Sequence, residues 1–96
     1  GAAAGYEFAD ATLIATKTLS FSVATTLDLE IKIEWDGGSA AQKLSELGAA
    51  RNGSVETVTW DMSTVTGAPV WDYMKILFGV HASGAGTAIL DNVTYQ

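Results

Sequence analysis

Strand-like alternation is clearest in the stretch Leu27-Asp28-Leu29-Glu30-Ile31-Lys32-Ile33-Glu34-Trp35. Its five odd positions are apolar and its four even positions are charged. A period of two places the apolar side chains on one face of a β-strand and the charged ones on the other. The residues that follow, Asp36-Gly37-Gly38, are typical of a turn. The stretch therefore predicts a half-buried strand with a polar outer face.

The same period recurs along most of the chain after residue 18. Alternating segments cover residues 18–23, 54–62, 70–81 and 86–95, and residues 6–8 and 12–16 supply one or two shorter strands. Because Ser83-Gly84-Ala85-Gly86 is a turn sequence, we expect the last two long strands to pair as a hairpin. Five to seven strands of this kind predict an all-β fold, specifically an antiparallel β-sandwich.

Residues 39–50 break the alternation. Ser39 has the chemistry of a helix N-cap, and the residues after it are tolerated in helices or favour them. Gly48 is suited to a C-cap, where the backbone turns left-handed. The pattern predicts one short helix or helical loop around residues 39–50.

Length and composition indicate one packed domain spanning residues 1–96. A chain of 96 residues is long enough for a single modest core. Hydrophobic residues make up 48% and charged residues 17%, which favours a packed protein over a disordered one. The opening Gly1-Ala2-Ala3-Ala4-Gly5 lacks the features of a signal peptide, so we expect residues 1–5 to be disordered or a remnant of cloning or maturation.

The charge balance limits the partners. Eleven acidic and five basic residues give a net charge of -6, which repels nucleic-acid phosphates and anionic membrane surfaces. No apolar run approaches the roughly 20 residues of a membrane span. The chain has no cysteine, so thiol chemistry and disulfides are excluded. We therefore expect no nucleic acid and no membrane span, and cations and neutral ligands remain as candidates.

The last strand, Gly86 to Tyr95, places a carboxylate in an otherwise apolar run. On a regular strand Asp91 shares a face with Ile89, Val93 and Tyr95. If that face is the core, the carboxylate needs a cation or several hydrogen-bond donors. The alternative is a β-bulge at which Asp91 accepts backbone N–H bonds. The residues alone leave both readings open.

Two aromatic residues are candidates for sugar binding. Trp71 and Tyr73 share one face of a segment that follows a Gly-Ala-Pro loop, and Asp72 lies between them. An exposed ring beside a carboxylate suits a sugar, since the ring stacks on C–H groups while the carboxylate accepts from hydroxyls. The alternative is that both rings simply pack at an edge of the fold.

The polar face of the long strand is a second candidate platform. It carries Glu30, Lys32 and Glu34, and His81 lies on a possible neighbouring strand. The alternative, which we favour, is a solvated face with ordinary ion pairs. Glu30 and Glu34 are about 13 Å apart at roughly 3.3 Å per residue, whereas glycosidases need carboxyl groups roughly 5–9.5 Å apart. We therefore predict a protein that is not an enzyme.

Five segments resemble, in order, the jelly-roll carbohydrate-binding modules of bacterial polysaccharide-degrading enzymes. They are residues 18–23, 27–35, 56–63, 74–80 and 89–93, and the closing Leu90-Asp91-Asn92-Val93 is the most specific. The resemblance covers most of the chain from Tyr6 onward. The chain departs from that pattern by being short, since such modules usually have more strands and a longer N-terminal half.

The resemblance implies a jelly-roll-like β-sandwich that is secreted, extracellular and non-catalytic. Such a module binds a polysaccharide or oligosaccharide and targets a fused catalytic domain to its substrate. The resemblance also implies a structural calcium ion, held by an acidic residue near the first strand and by the aspartate of the last strand. In this sequence those residues are Glu7 or Asp10 together with Asp91, if the first and last strands pair. Calcium takes six to eight oxygen ligands, which carboxylates and carbonyls supply.

A second hypothesis belongs to a different class of function. The short chain, the low content of charge and the abundance of alanine, glycine and threonine are compatible with close packing between subunits. The chain would then be a self-assembling β-sandwich subunit of an extracellular filament, sheath or surface layer.

Overall fold

The structure is a computed structural model that describes residues 4–8, 18–35, 38–65, 74–79 and 86–96. These residues form seven strands and one 3₁₀ turn, Met62–Thr64. The strands are Ala4–Phe8 (β1), Thr18–Thr25 (β2), Glu30–Trp35 (β3), Gly38–Lys43 (β4), Glu56–Asp61 (β5), Met74–Phe78 (β6) and Ala88–Tyr95 (β7).

The strands form two antiparallel sheets. The larger sheet has the order β1-β6-β3-β4, and the smaller sheet has the order β5-β2-β7. All pairings between the described strands are antiparallel. The prediction of an all-β fold is therefore confirmed. The described part of the chain contains no helix long and apolar enough to cross a bilayer.

Apolar side chains from both sheets join in one hydrophobic core. The buried members on the strands are Leu19, Phe21 and Val23 of β2, Ile31 and Ile33 of β3, and Val58 and Trp60 of β5. They occupy the alternating positions that the sequence pattern predicts to face inward. Leu29, Leu44 and Met62 complete the buried set from outside the strands. Burial of this apolar surface is the main force that holds the two sheets together.

The predicted helix is wrong over residues 39–43, because these residues belong to strand β4. Ser39 is therefore not an N-cap but lies opposite Glu34 of β3. Alanine, glutamine and lysine are acceptable in a helix, so local preference alone favoured one. Pairing with the edge of β3 satisfies the backbone of this segment instead, and it overrides that weak preference.

A single helical turn follows β4 and ends at Gly48. The Leu47 N–H donates to the Lys43 carbonyl at 3.1 Å. The N–H groups of Gly48 and Ala49 donate to the carbonyls of Ser45 and Leu44, at 3.2 and 3.0 Å. This pair of bonds, with Gly48 at a φ of 82°, is a Schellman motif. The predicted cap at Gly48 thus agrees with the structure, although it closes one turn and not a helix.

One predicted strand pairing is wrong, and the described strands do not meet one condition of the calcium hypothesis. Strands β6 and β7, which were expected to form a hairpin, belong to different sheets. Strands β1 and β7, which the calcium hypothesis needed as neighbours, pair with β6 and β2 respectively. Turn residues specify that the chain changes direction but not which sheet the next strand joins. Sequential strands are neighbours in only about two-thirds of cases.

Alkaline pH is expected to destabilise the fold through Tyr95, a β7 residue that packs against the core. Burial raises the pKa of Tyr95 to about 12. Because an unfolded tyrosine ionises at about 10, the folded state favours the neutral form. The contribution of Tyr95 to stability should be complete below pH about 10 and should be lost as the pH rises through about 12.

Absorbance of tyrosinate during a pH titration measures this effect. A late step should be seen in this titration, and Tyr95→Phe should remove the part of it that Tyr95 contributes and flatten the loss of stability above pH about 10. Titration of all three tyrosines together near the ordinary value would contradict the burial of Tyr95.

Candidate functional site

A β-bulge interrupts the pairing of β2 with β7. Ser20 lies opposite Thr94 and Ser22 lies opposite Asp91, so Phe21 faces two residues of β7. One of these is Asn92, whose φ of 53° is in the left-handed region that asparagine tolerates. The extra residue reverses the alternation of side chains along β7. As a result, the alternation of side chains before Asn92 is out of phase with the alternation after it.

Asp91 is exposed, so of the two open readings the one that places it on a core face with Val93 is wrong. Leu90 on one side of the bulge and Val93 on the other both pack against the core. The Asp91 Oδ1 atom accepts a hydrogen bond from the Asn92 N–H at 2.8 Å. The structure therefore agrees with the alternative reading, a bulge with a backbone N–H bonded to the carboxylate.

A pocket of about 140 Å³ lies beside this bulge. Its polar lining residues are Asp91, Asn92 and Ser22. The Asn92 amide nitrogen donates to Ser22 Oγ at 3.4 Å, so the amide and the hydroxyl lie side by side. Pockets for drug-sized ligands have roughly 300–1,000 Å³. The smaller volume suits a single ring or a short polar group.

The rest of the lining is apolar and consists of Val23, Ala24 and two exposed residues, Val55 and Ile89. Val55 is 74% exposed and Ile89 is 69% exposed, and they are the most exposed large hydrophobic residues in the described part of the chain. Single exposed apolar residues are common on protein surfaces. Two of them at one pocket, beside three polar groups, have the composition of a ligand site.

Hydrogen bonds within the loop of residues 50–56, and from this loop to β2, hold Val55 beside β2. The Glu56 carboxylate accepts from the N–H groups of Ala50 at 2.7 Å and Arg51 at 2.9 Å. These two bonds, that from Ala50 more strongly, lower the pKa of Glu56. The Gly53 N–H donates to the carbonyl of Thr25, at the end of β2, over 3.1 Å. The apolar wall of the pocket is therefore tied to the strand that carries Ser22.

The Asp28 carboxylate anchors the turn that follows β4. Asp28 accepts from the backbone N–H of Ser45 at 2.8 Å and from its hydroxyl at 2.7 Å. The Arg51 Nε lies 3.9 Å from the same carboxylate. The bond from the Ser45 hydroxyl is the strongest of the effects that lower the pKa of Asp28. This cluster stabilises two loops, so we assign it a structural role.

The polar face of β3 contains an ordinary ion pair. Glu30, Lys32 and Glu34 are all partly exposed. Lys32 Nζ lies 3.1 Å from Glu34 Oε1, and the two side chains are 30% and 37% exposed. Pairs of this kind contribute about 0–1 kcal/mol. The face thus agrees with the solvated alternative, and its role as a sugar platform stays a prediction.

Several predicted site residues lie outside the described part of the chain. They are Asp10, Trp71, Asp72, Tyr73 and His81. Glu7 lies on β1, opposite Lys75 of β6 in the strand register. Within residues 4–8, 18–35, 38–65, 74–79 and 86–96, no group of three or more acidic or histidine residues could hold a metal ion. Calcium binding therefore stays a prediction.

Substitutions at Asn92 are expected to test the bulge. Asn92→Gly should keep the stability within about 0.5 kcal/mol, since glycine adopts a positive φ without strain. Asn92→Val should cost about 1–2 kcal/mol, because a side chain branched at Cβ clashes in the left-handed region. Urea unfolding measures both variants. Equal stability of the two would contradict a left-handed residue at this position.

The pocket can hold a small ligand that has both apolar faces and hydroxyl groups. Its amide and hydroxyl donate and accept hydrogen bonds, its carboxylate accepts them, and its apolar side chains cover C–H groups.

Sequence reasoning singled out Asp91 but missed Ser22, Val55 and Ile89 as parts of this site. Ile89 could have been found, because an apolar residue on the same face as an exposed Asp91 must itself be exposed.

No family model, curated protein or solved structure matches the chain.

Proposed function

We propose that the chain is a non-catalytic carbohydrate-binding module. The pocket beside the β2–β7 bulge is the observation that carries this proposal. A sugar ring has hydroxyls on its rim, which both donate and accept hydrogen bonds, and C–H groups on its faces. Asp91, Asn92 and Ser22 match the hydroxyls, while Val55 and Ile89 match the C–H groups.

The proposal extends to the architecture and the setting of the module. The two sheets form a jelly-roll-like β-sandwich, a proposal supported by the hydrophobic core that they share. The closing Leu90-Asp91-Asn92-Val93 motif supports an extracellular module that targets a fused catalytic domain to its polysaccharide. Trp71 and Tyr73 supply additional stacking rings in this proposal.

Glycan binding tests the proposal directly. We expect saturable binding to at least one class of oligosaccharide on a glycan array, followed by titration calorimetry. Ser22→Ala should weaken binding roughly two- to tenfold, the equivalent of one neutral hydrogen bond of about 0.5–1.5 kcal/mol. Ser63→Ala is the matched control, since Ser63 is an exposed serine in the 3₁₀ turn that follows β5. A blank array with folded protein would overturn the proposal.

Calcium is expected to raise the melting temperature. At 100 times its Kd, a ligand that binds only the folded state stabilises it by about 2.7 kcal/mol. For a chain of this size that is a shift of roughly 10–20 °C. Thermal melts with a chelator, with calcium and with magnesium measure the effect, and Glu7→Gln or Asp10→Asn should reduce it. A melting temperature that the chelator leaves unchanged would contradict a structural calcium ion.

One observation favours a second candidate, a self-assembling structural subunit. Among the described strands, β7 lies at an edge of the smaller sheet, and Ile89 on this strand is 69% exposed. Edge strands with exposed apolar residues can pair with another chain. Analytical ultracentrifugation and electron microscopy test this candidate. A strict monomer at high protein concentration would count against it.

A further inference from the structure

The lining of the bulge pocket carries one charge. Among the described residues that line this pocket, Asp91 is the ionisable one. The other side chains of the lining are apolar or are polar and uncharged. The chain as a whole has eleven acidic residues against five basic ones. Both the local and the overall electrostatic potential therefore disfavour an anionic ligand.

The Asp91 carboxylate also has hydrogen-bonding capacity to spare. Its Oδ1 atom accepts one bond, from the Asn92 N–H at 2.8 Å. A carboxylate offers about four lone-pair sites on its two oxygens. The described residues supply no donor to Oδ2. Because Asp91 is exposed at the pocket, that oxygen is accessible to a donor on the ligand.

We infer that this pocket selects among sugars by charge, binding amino sugars most tightly, neutral sugars next and uronic acids or sulfated sugars least. The inference rests on the proposed function and names the substrate class of the same site. An ammonium group on the sugar gains a charge-assisted hydrogen bond to Asp91. A carboxylate or sulfate on the sugar is repelled by it.

The size of the preference follows from the exposure of the site. Ion pairs that remain accessible to water contribute about 0.2–1 kcal/mol. The expected preference for a glucosamine oligomer over the N-acetylglucosamine oligomer of equal length is therefore roughly 1.4- to fivefold. Salt screens such interactions, so the preference should shrink as ionic strength rises.

Calorimetric titration with three oligosaccharides of equal length tests the inference. The probes are oligomers of glucosamine, N-acetylglucosamine and galacturonic acid, each at low and at high salt. In Asp91→Asn, which keeps the shape of the side chain, the preference for glucosamine should disappear and the galacturonate oligomer should bind better.

Asp61→Asn is the matched control. Asp61 is exposed and its Oδ1 accepts one backbone N–H, from Ser63 at 2.9 Å. It lies at the far end of β5 from Thr57, the register partner of Ser22. Asp61→Asn should leave the preference unchanged.

The outcomes separate the inference from the proposed function. Equal binding of the three oligomers, or a preference that Asp91→Asn does not change, overturns the charge selectivity alone. A uronate oligomer that binds most tightly overturns it as well. Binding of none of the three, together with a blank glycan array, overturns the carbohydrate-binding proposal and the selectivity with it.

Discussion

Leu44→Ala is expected to lower the free energy of unfolding by about 2–5 kcal/mol, the cost of removing a fully buried leucine. Leu44 lies in the turn after β4, yet its side chain is 0% exposed and belongs to the core. The backbone of the same residue donates to the Leu29 carbonyl at 2.9 Å. Alanine keeps that bond, so the loss measures the buried side chain.

Urea unfolding of Leu44→Ala and Leu47→Ala gives the matched comparison. Leu47 lies in the same turn but is only half-buried, so its truncation should cost clearly less. A loss below about 1 kcal/mol for Leu44→Ala would contradict a buried position. It would favour the surface helix that the sequence pattern predicts for this segment.

Phe21→Ala is expected to cost about 3–5 kcal/mol. Phe21 is 1% exposed on β2, the central strand of the smaller sheet, and it faces the bulge of β7. Its removal leaves a cavity where β2 meets the core and withdraws packing beneath the bulge. The expected loss is a large part of the 5–15 kcal/mol that typically stabilises a domain.

Two further variants keep this prediction testable if Phe21→Ala does not fold. Phe21→Leu retains most of the buried side chain and should unfold cooperatively with a smaller loss. Thr59→Ala removes an exposed side chain from neighbouring β5 and should change stability by less than about 0.5 kcal/mol. A loss for Phe21→Ala no larger than that for Thr59→Ala would contradict its place in the core.

The inward faces of the strands could be predicted because alternation is a local property. Phe21 and Ile33 follow it and are buried. The choice of neighbouring strand is not local, so the predicted pairing of β6 with β7 failed. The segment 39–43 shows the same limit, since only the exposed edge of β3 makes it a strand.

The candidate site was only partly predictable for a related reason. Asp91 attracted attention as a carboxylate in an apolar run, but its direction depends on the left-handed conformation of Asn92. One inserted residue changes which face every later side chain occupies. Ser22 and Val55 join the pocket from strands and loops distant in sequence, so only the folded chain brings them to Asp91.

A nuclear magnetic resonance titration of the isotopically labelled chain with an oligosaccharide chosen from the array tests carbohydrate binding at the bulge most directly. We expect saturable shifts of the backbone amides of Ser22, Val55, Asp91 and Asn92, all at the same affinity as the calorimetric binding. Shifts confined to residues 71–73 or to the outer face of β3, or no shift with any glycan, would contradict a sugar site at this pocket.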